Sequence, residues 1–136
     1  MGKRLARHGL KPDLILSSPA VRARQTAERV ALALNYRAND IRYDAALYLA
    51  SPGDLLEVLA NVNDGIDELI LVGHNPGMTQ LANMMLAELK LNNLPTAGAV
   101  AIDTGVPSWG QIDAGAFSLR FYDYPKNADQ RTSQKQ

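Results

Sequence analysis

The stretch LKPDLILSSPAVRARQTAE, Leu10–Glu28, changes its rhythm half way along. Leu14-Ile15-Leu16 is an unbroken apolar run, the pattern of a short strand buried on both faces. Ser17-Ser18-Pro19 then offers an N-cap and a proline for the first helical position. Beyond it Ala20, Ala23, Ala27, Val30, Ala31 and Leu34 recur at helical spacing and form one apolar stripe. A buried strand that turns at once into an amphipathic helix is half of a parallel α/β unit, so the stretch predicts a layered α/β domain.

The same grammar continues in both directions. Upstream, Leu5 to His8 closes a helical fragment with Gly9 as its C-cap. Downstream, Ser51-Pro52-Gly53-Asp54 has the spacing of a capping box and opens a helix through Leu55, Leu56, Val58 and Leu59. Leu69 to Val72 predicts the next buried strand. Asn75-Pro76-Gly77 starts a helix through Leu81, Met84, Met85 and Leu89, whose methionines read as core filling. Ala99 to Ile102 and Phe117 to Tyr122 read as two closing strands, the second at an edge. There is no internal repeat, and residues 125–136 are a polar tail after a single domain over 1–124.

Composition narrows the function. Fourteen basic residues balance fourteen acidic ones across 136 residues, so no global field attracts nucleic acid or an anionic membrane. Any anion site must be local. Absence of cysteine excludes thiol nucleophiles, disulfides and thiolate zinc sites, and two histidines are too few for a histidine metal cluster. No stretch approaches 18 apolar residues and the Met1 end has no signal-peptide core, which makes the cytoplasm the default location.

Two places repeat a buried strand, a sharp turn and a polar helix start: Ser17 to Arg22, and Gly73 to Gly77. If both strands lie in one parallel sheet, their carboxyl ends share the edge where open α/β sheets place ligands. Arg22 and His74 would then converge. Helix N-terminal amides and an arginine fork suit the Ser18 to Arg22 corner to a phosphoryl group, and His74 would supply a donor or an acid/base group. Each corner also has a plainer reading. Ser-Ser-Pro alone can be only a cap, and Gly73 to Gly77 can be a strand exit whose imidazole caps a backbone group. Arg24 and Arg29 read as solvated helix-face residues, and Trp109 as a partly buried turn residue.

Four separated segments agree with one family: Leu10–Glu28 above, ALYLASPGDLLEVL at Ala46–Leu59, ELILVGHNPGM at Glu68–Met78 and LPTAGAVAI at Leu94–Ile102. In this order and spacing the chain resembles the SixA-like phosphohistidine phosphatases of the histidine phosphatase superfamily, from Met1 to about Tyr124. The resemblance implies a three-layer phosphoglycerate mutase-like fold, a mostly parallel sheet flanked by helices. It implies removal of phosphoryl groups from phosphohistidine on proteins such as phosphorelay or phosphotransferase components, with no metal or cofactor. The partners implied are a phosphohistidine-bearing protein, and inorganic phosphate or sulfate in the pocket. The family's second arginine falls on Arg22 and its second histidine on His74, with Asn75 beside it as a further phosphate-binding residue. Many members protonate the leaving group with an acidic residue, for which Asp44 is the nearest candidate.

The family transfers the phosphoryl group to the histidine of an Arg-His-Gly motif, and this chain contains Arg7-His8-Gly9. The letters match but the place does not. The family motif ends a central first strand far upstream of the Ser-Ser-Pro turn, whereas here the interval is under ten residues. A helix leading into a parallel strand ends near that strand's amino edge. Five strand residues at roughly 3.3 Å each then separate His8 from the ligand edge by about 16 Å, and covalent transfer needs contact at about 3 Å. His8 is therefore expected to be a decoy, a helix C-terminal residue placed favourably against the dipole. On the resemblance, the true motif, its strand and the start of the following helix would precede Met1. A displaced gene start, a naturally shortened protein or a trimmed chain would each give this beginning. A lost central strand would leave unpaired backbone edges. The alternative function is a catalytically inactive phosphate- or phosphoprotein-binding module, or a fragment without a native role.

Overall fold

The computed structural model describes residues 2–86, 90–91, 99–104, 106–114 and 117–123. Helix α1 (Gly2–Arg7) leads to strand β1 (Leu14–Ser17), helix α2 (Val21–Ala33) and the two-residue strand β2 (Arg42–Tyr43). A 3₁₀ turn at Ala45–Leu47 precedes helix α3 (Pro52–Ala60), strand β3 (Leu69–Val72) and helix α4 (Gly77–Met85). Strands β4 (Ala99–Thr104) and β5 (Phe117–Asp123) follow, with a 3₁₀ segment over Trp109–Ala114 between them.

The parallel sheet is ordered β2-β1-β3, with Leu14 to Ser17 in register with Leu69 to Val72 and Ser17 with Tyr43. Strand alternation sends its side chains to two separate cores. Leu14 and Leu16 pack with Leu47, Leu55, Leu59 and Leu81 on the α3 and α4 face, while Ile15 packs with Leu5, Ala27, Val30 and Ala31 on the α1 and α2 face. This is the expected three-layer α/β arrangement.

Two terminal signals act as the sequence predicts. At the end of α1 the Gly9 amide donates to the Ala6 carbonyl and the Leu10 amide to Leu5, with Gly9 at φ 76°, the left-handed residue that closes a Schellman motif. His8 is thus the last residue before a turn that delivers the chain to the amino end of β1. At α3 the Ser51 hydroxyl accepts from the Asp54 amide and the Asp54 carboxylate from the Ser51 amide, a complete capping box.

Three expectations need correction. Helix α2 starts at Val21 with Ala20 at its N-cap, and no side chain caps it, so Pro19 is outside the helix. Met85 is half-buried against the core, but Met84 is 52% exposed and fills nothing. The two closing strands do not pair with the parallel sheet: β4 and β5 form their own antiparallel ribbon. Leu89 and the tail 125–136 lie outside the described residues.

The separation of ribbon and sheet has a geometric consequence. Among the described residues the outer edge of β3 carries no strand partner, and all four of its residues are only half-buried, against four buried in β1. A cavity of about 670 Å³ runs along that edge, walled by Leu69 to Val72 on one side and by Ile102 and Phe121 of the ribbon on the other.

Candidate active site

From β1 the chain crosses through α2 to β2 on one side, and from β2 it returns through α3 to β3 on the other. The carboxyl ends of β1 and β3 therefore border a topological switch point, the place where helices splay and leave a crevice. Ser18 follows β1 and His74 follows β3 at that edge.

The two meet there. Ser18 Oγ and His74 Nε2 are hydrogen-bonded at 2.8 Å, across 56 positions of sequence. Ser18 is fully buried, its amide donates to the Val72 carbonyl, and its hydroxyl also accepts from the Ala20 amide at 3.3 Å. A short side chain locked between two backbone segments fixes the imidazole more firmly than an exposed partner could. The hydroxyl thus bonds both His74 and the Ala20 amide, but Ala20 is the N-cap of α2 and the first amides of the helix keep no side-chain acceptor.

Arg22 lies in the first turn of that uncapped helix and lines the same cavity as His74 and Asn75. It is exposed and has no hydrogen-bond or ion-pair partner among the described residues. A guanidinium without a partner among the described residues, an uncapped helix start and a tethered imidazole are groups chemically able to receive a tetrahedral anion.

The other sequence-derived residues are placed as follows. Asn75 Oδ1 accepts from the Thr79 amide at 3.2 Å and the Thr79 hydroxyl at 2.7 Å, so that oxygen caps α4. Asp44 Oδ1 accepts from the Ala46 amide at 2.9 Å, and its residue lines a second cavity of about 460 Å³ with Asp54 and Glu57. Arg22 and His74 face the larger one. His8 stacks on Phe121 of β5, centroids 3.7 Å apart and planes 6° from parallel. Arg24 is exposed, as expected, but lies over the Tyr43 ring at 5.6 Å. Trp109 is half-buried and donates from Nε1 to the Ile66 carbonyl at 2.7 Å. Among the described residues no three histidine, aspartate or glutamate side chains gather as a metal site.

Sequence reasoning missed Tyr48. Its ring meets His74 edge to face, centroids 5.3 Å apart, while the residue stays 56% exposed. The available signal was Tyr48-Leu49, two large apolar residues between a turn and the Ser51 cap, where no helix or strand face needs them.

Known proteins share this fold. No family model matches the chain. It superimposes on a chain assigned as phosphohistidine phosphatase SixA from Agrobacterium tumefaciens with a TM-score of 0.72 at 28% identity, covering 91% of this chain and 75% of that one. A SixA protein histidine phosphatase complexed with tungstate matches at TM-score 0.76 and 19% identity, covering 93% of this chain and 78% of that one. By sequence, the uncharacterised proteins MT1313 and Rv1276c of two Mycobacterium tuberculosis strains are each 29% identical over 123 residues, 84% of this chain and 74% of theirs. The chain is SixA-like, and its fold is the three-layer α/β fold of the phosphoglycerate mutase-like kind. Among the described residues no helix is long and apolar enough to cross a membrane.

Proposed function

We propose that the Ser18–His74–Arg22 corner is the phosphoryl site of a phosphohistidine phosphatase, acting on phosphohistidine-bearing proteins in the cytoplasm. The observation that carries the reading is the 2.8 Å hydrogen bond joining the ends of β1 and β3 beside Arg22, which has no partner among the described residues. Arg22 and the first amides of α2 would hold the phosphoryl oxygens, and His74 would stabilise charge that grows as the phosphoryl group transfers. The group would pass from the substrate's ring nitrogen to a nucleophilic imidazole and then to water, the leaving imidazole taking up a proton.

His8 does not supply that nucleophile in this reading. Its stack on Phe121 and its place at the end of α1 support a decoy role. A nucleophile on a strand lying along the free edge of β3 has a berth, because the cavity there follows β3 and opens at His74. A phosphoprotein-binding module without turnover is the second reading, favoured by the same position of His8. Asp44 as proton donor stays a proposal, opposed by its local cap and by its place in the other cavity.

The test is an assay of the 136-residue chain and of a version extended by a strand ending in Arg-His-Gly, with acid quench to trap any phosphoenzyme on a phosphohistidine protein. Turnover and phosphoenzyme only in the extended version support the enzyme. Anion binding without phosphoenzyme in either supports the binding module. Robust turnover by the short chain that vanishes in His8→Ala would refute the decoy.

A further inference from the structure

Water-exposed apolar side chains collect around this corner. Val21 is 68% exposed, Leu49 66%, Tyr48 56% and Tyr43 37%. Val21 opens α2, Tyr43 ends β2 opposite Ser17, and Tyr48 touches His74, so all four stand on the carboxyl edge of the sheet. Their exposure is built in by the backbone. Leu47 and Ala50 are buried on either side, Leu49 adopts φ 51°, and the Ala50 carbonyl is seated against Gly77 so closely that a Cβ there would lie 2.1 Å away. A leucine in the left-handed region is strained, and turning it to solvent adds the hydration of its side chain. A loop pinned at both ends that displays Tyr48 and Leu49 against these preferences is shaped by what it meets.

We propose that Tyr48 is a specificity-determining residue that stacks on the imidazole of the substrate's phosphohistidine, with Leu49 covering the protein surface around it. The inference rests on the phosphatase reading and extends it to how the leaving group is recognised. The Tyr48 ring meets His74 edge to face and stays exposed, and His74 in turn lines the cleft together with Arg22. A phosphoryl group held at Arg22 brings its carrier past that ring. A planar imidazole gains an aromatic contact there, and the aliphatic carrier of phosphoserine gains none. Tyr43 is less suited to this role, since Arg24 already lies over one face of its ring.

Binding to the intact chain tests the role with three probes: tungstate, N-phosphoimidazole and methyl phosphate, at mildly alkaline pH where the P–N bond survives. Tyr48→Ala should weaken N-phosphoimidazole about threefold to tenfold and leave tungstate and methyl phosphate within about twofold, while Tyr48→Phe retains full affinity. Equal losses for all three probes would show that Tyr48 only steadies His74 and would overturn the inference. So would unchanged N-phosphoimidazole affinity. Failure of the unsubstituted chain to bind tungstate would instead remove the phosphoryl site itself, and this inference with it.

Discussion

The two strand–turn–helix corners begin from similar sequences and end with opposite commitments. At Ser17 to Arg22 the helix is left without a side-chain cap, because its N-cap is Ala20, while Ser18 holds His74. At Gly73 to Gly77 the helix is capped by Asn75 and fastened by Gly77 against Ala50. In the proposed site the first corner would keep its donors for a ligand, and the second would hold an imidazole still. Pre-organisation of this kind divides labour: charge is offered by one element and geometry by another.

The largest effect belongs to the closed corner. A Cβ on Gly77 would lie 2.1 Å from the Ala50 carbonyl oxygen, a backbone atom that no side-chain rotation can clear. Gly77→Ala should therefore destabilise the fold by about 3 kcal/mol or more in chemical denaturation, at the top of the range for overpacking. It should also displace the loop that carries Tyr48. A loss below about 1 kcal/mol would mean that α4 and that loop are not fastened to each other. Gly73 is a milder case, since its Cβ would meet the flexible Met78 side chain.

The open corner comes next. Removing the guanidinium of Arg22 should leave stability nearly unchanged, because it has no protein partner among the described residues. Tungstate affinity in Arg22→Ala should nevertheless fall by about 1.5–3 kcal/mol, the scale of a charge-assisted hydrogen bond. Unchanged affinity on titration would reduce that corner to an ordinary helix start.

Much of this contrast is written in local sequence, and the part that is not is long-range. Leu14-Ile15-Leu16 announces a buried strand because only burial on both faces suits such a run, whereas Leu69 to Val72 carries the same signal and forms its strand but stays half-buried; Ser51 with Asp54 announces a cap because the partners are three residues apart. Ser18 carries the same cap signal, yet its hydroxyl also bonds His74, 56 residues distant, and nothing local indicates that tertiary partner. Met84 misleads because helical spacing cannot say which methionine of an adjacent pair faces the core. That Arg22 and His74 line one cavity was legible because strand ends define an edge. Tyr48 was not, since a loop residue has no periodicity to place it.

A smaller effect separates capping from ligand binding at Asn75. With Oδ1 on Thr79, Asn75→Ala should lower stability by about 1 kcal/mol, the usual consequence of losing a cap, and leave tungstate affinity within about twofold. If affinity falls as far as in Arg22→Ala, the Asn75 amide belongs to the anion cradle and the second corner is less closed than its hydrogen bonds suggest. Asn75→Asp sharpens the distinction, because it keeps an acceptor for Thr79 while setting a negative charge beside the anion.

The smallest effect is expected at the histidine whose neighbours spell the family motif. His8 is the last residue before the Gly9 turn and its ring lies flat on Phe121. Losing an exposed aromatic stack should lower stability by about 0.5 kcal/mol, the low end for such pairs. Nothing in that loss reaches the corner where Ser18 holds His74, so His8→Ala should bind tungstate as tightly as the unsubstituted chain. The same substitution should leave any residual phosphatase activity untouched, because a covalent step is abolished only by removing the atom that attacks. Parallel titration and assay of His8→Ala and His74→Ala decide the matter. A deficit confined to His74→Ala keeps the two histidines in separate roles, whereas an equal or larger deficit in His8→Ala would require α1 to leave Phe121 and bring its terminus to the carboxyl edge.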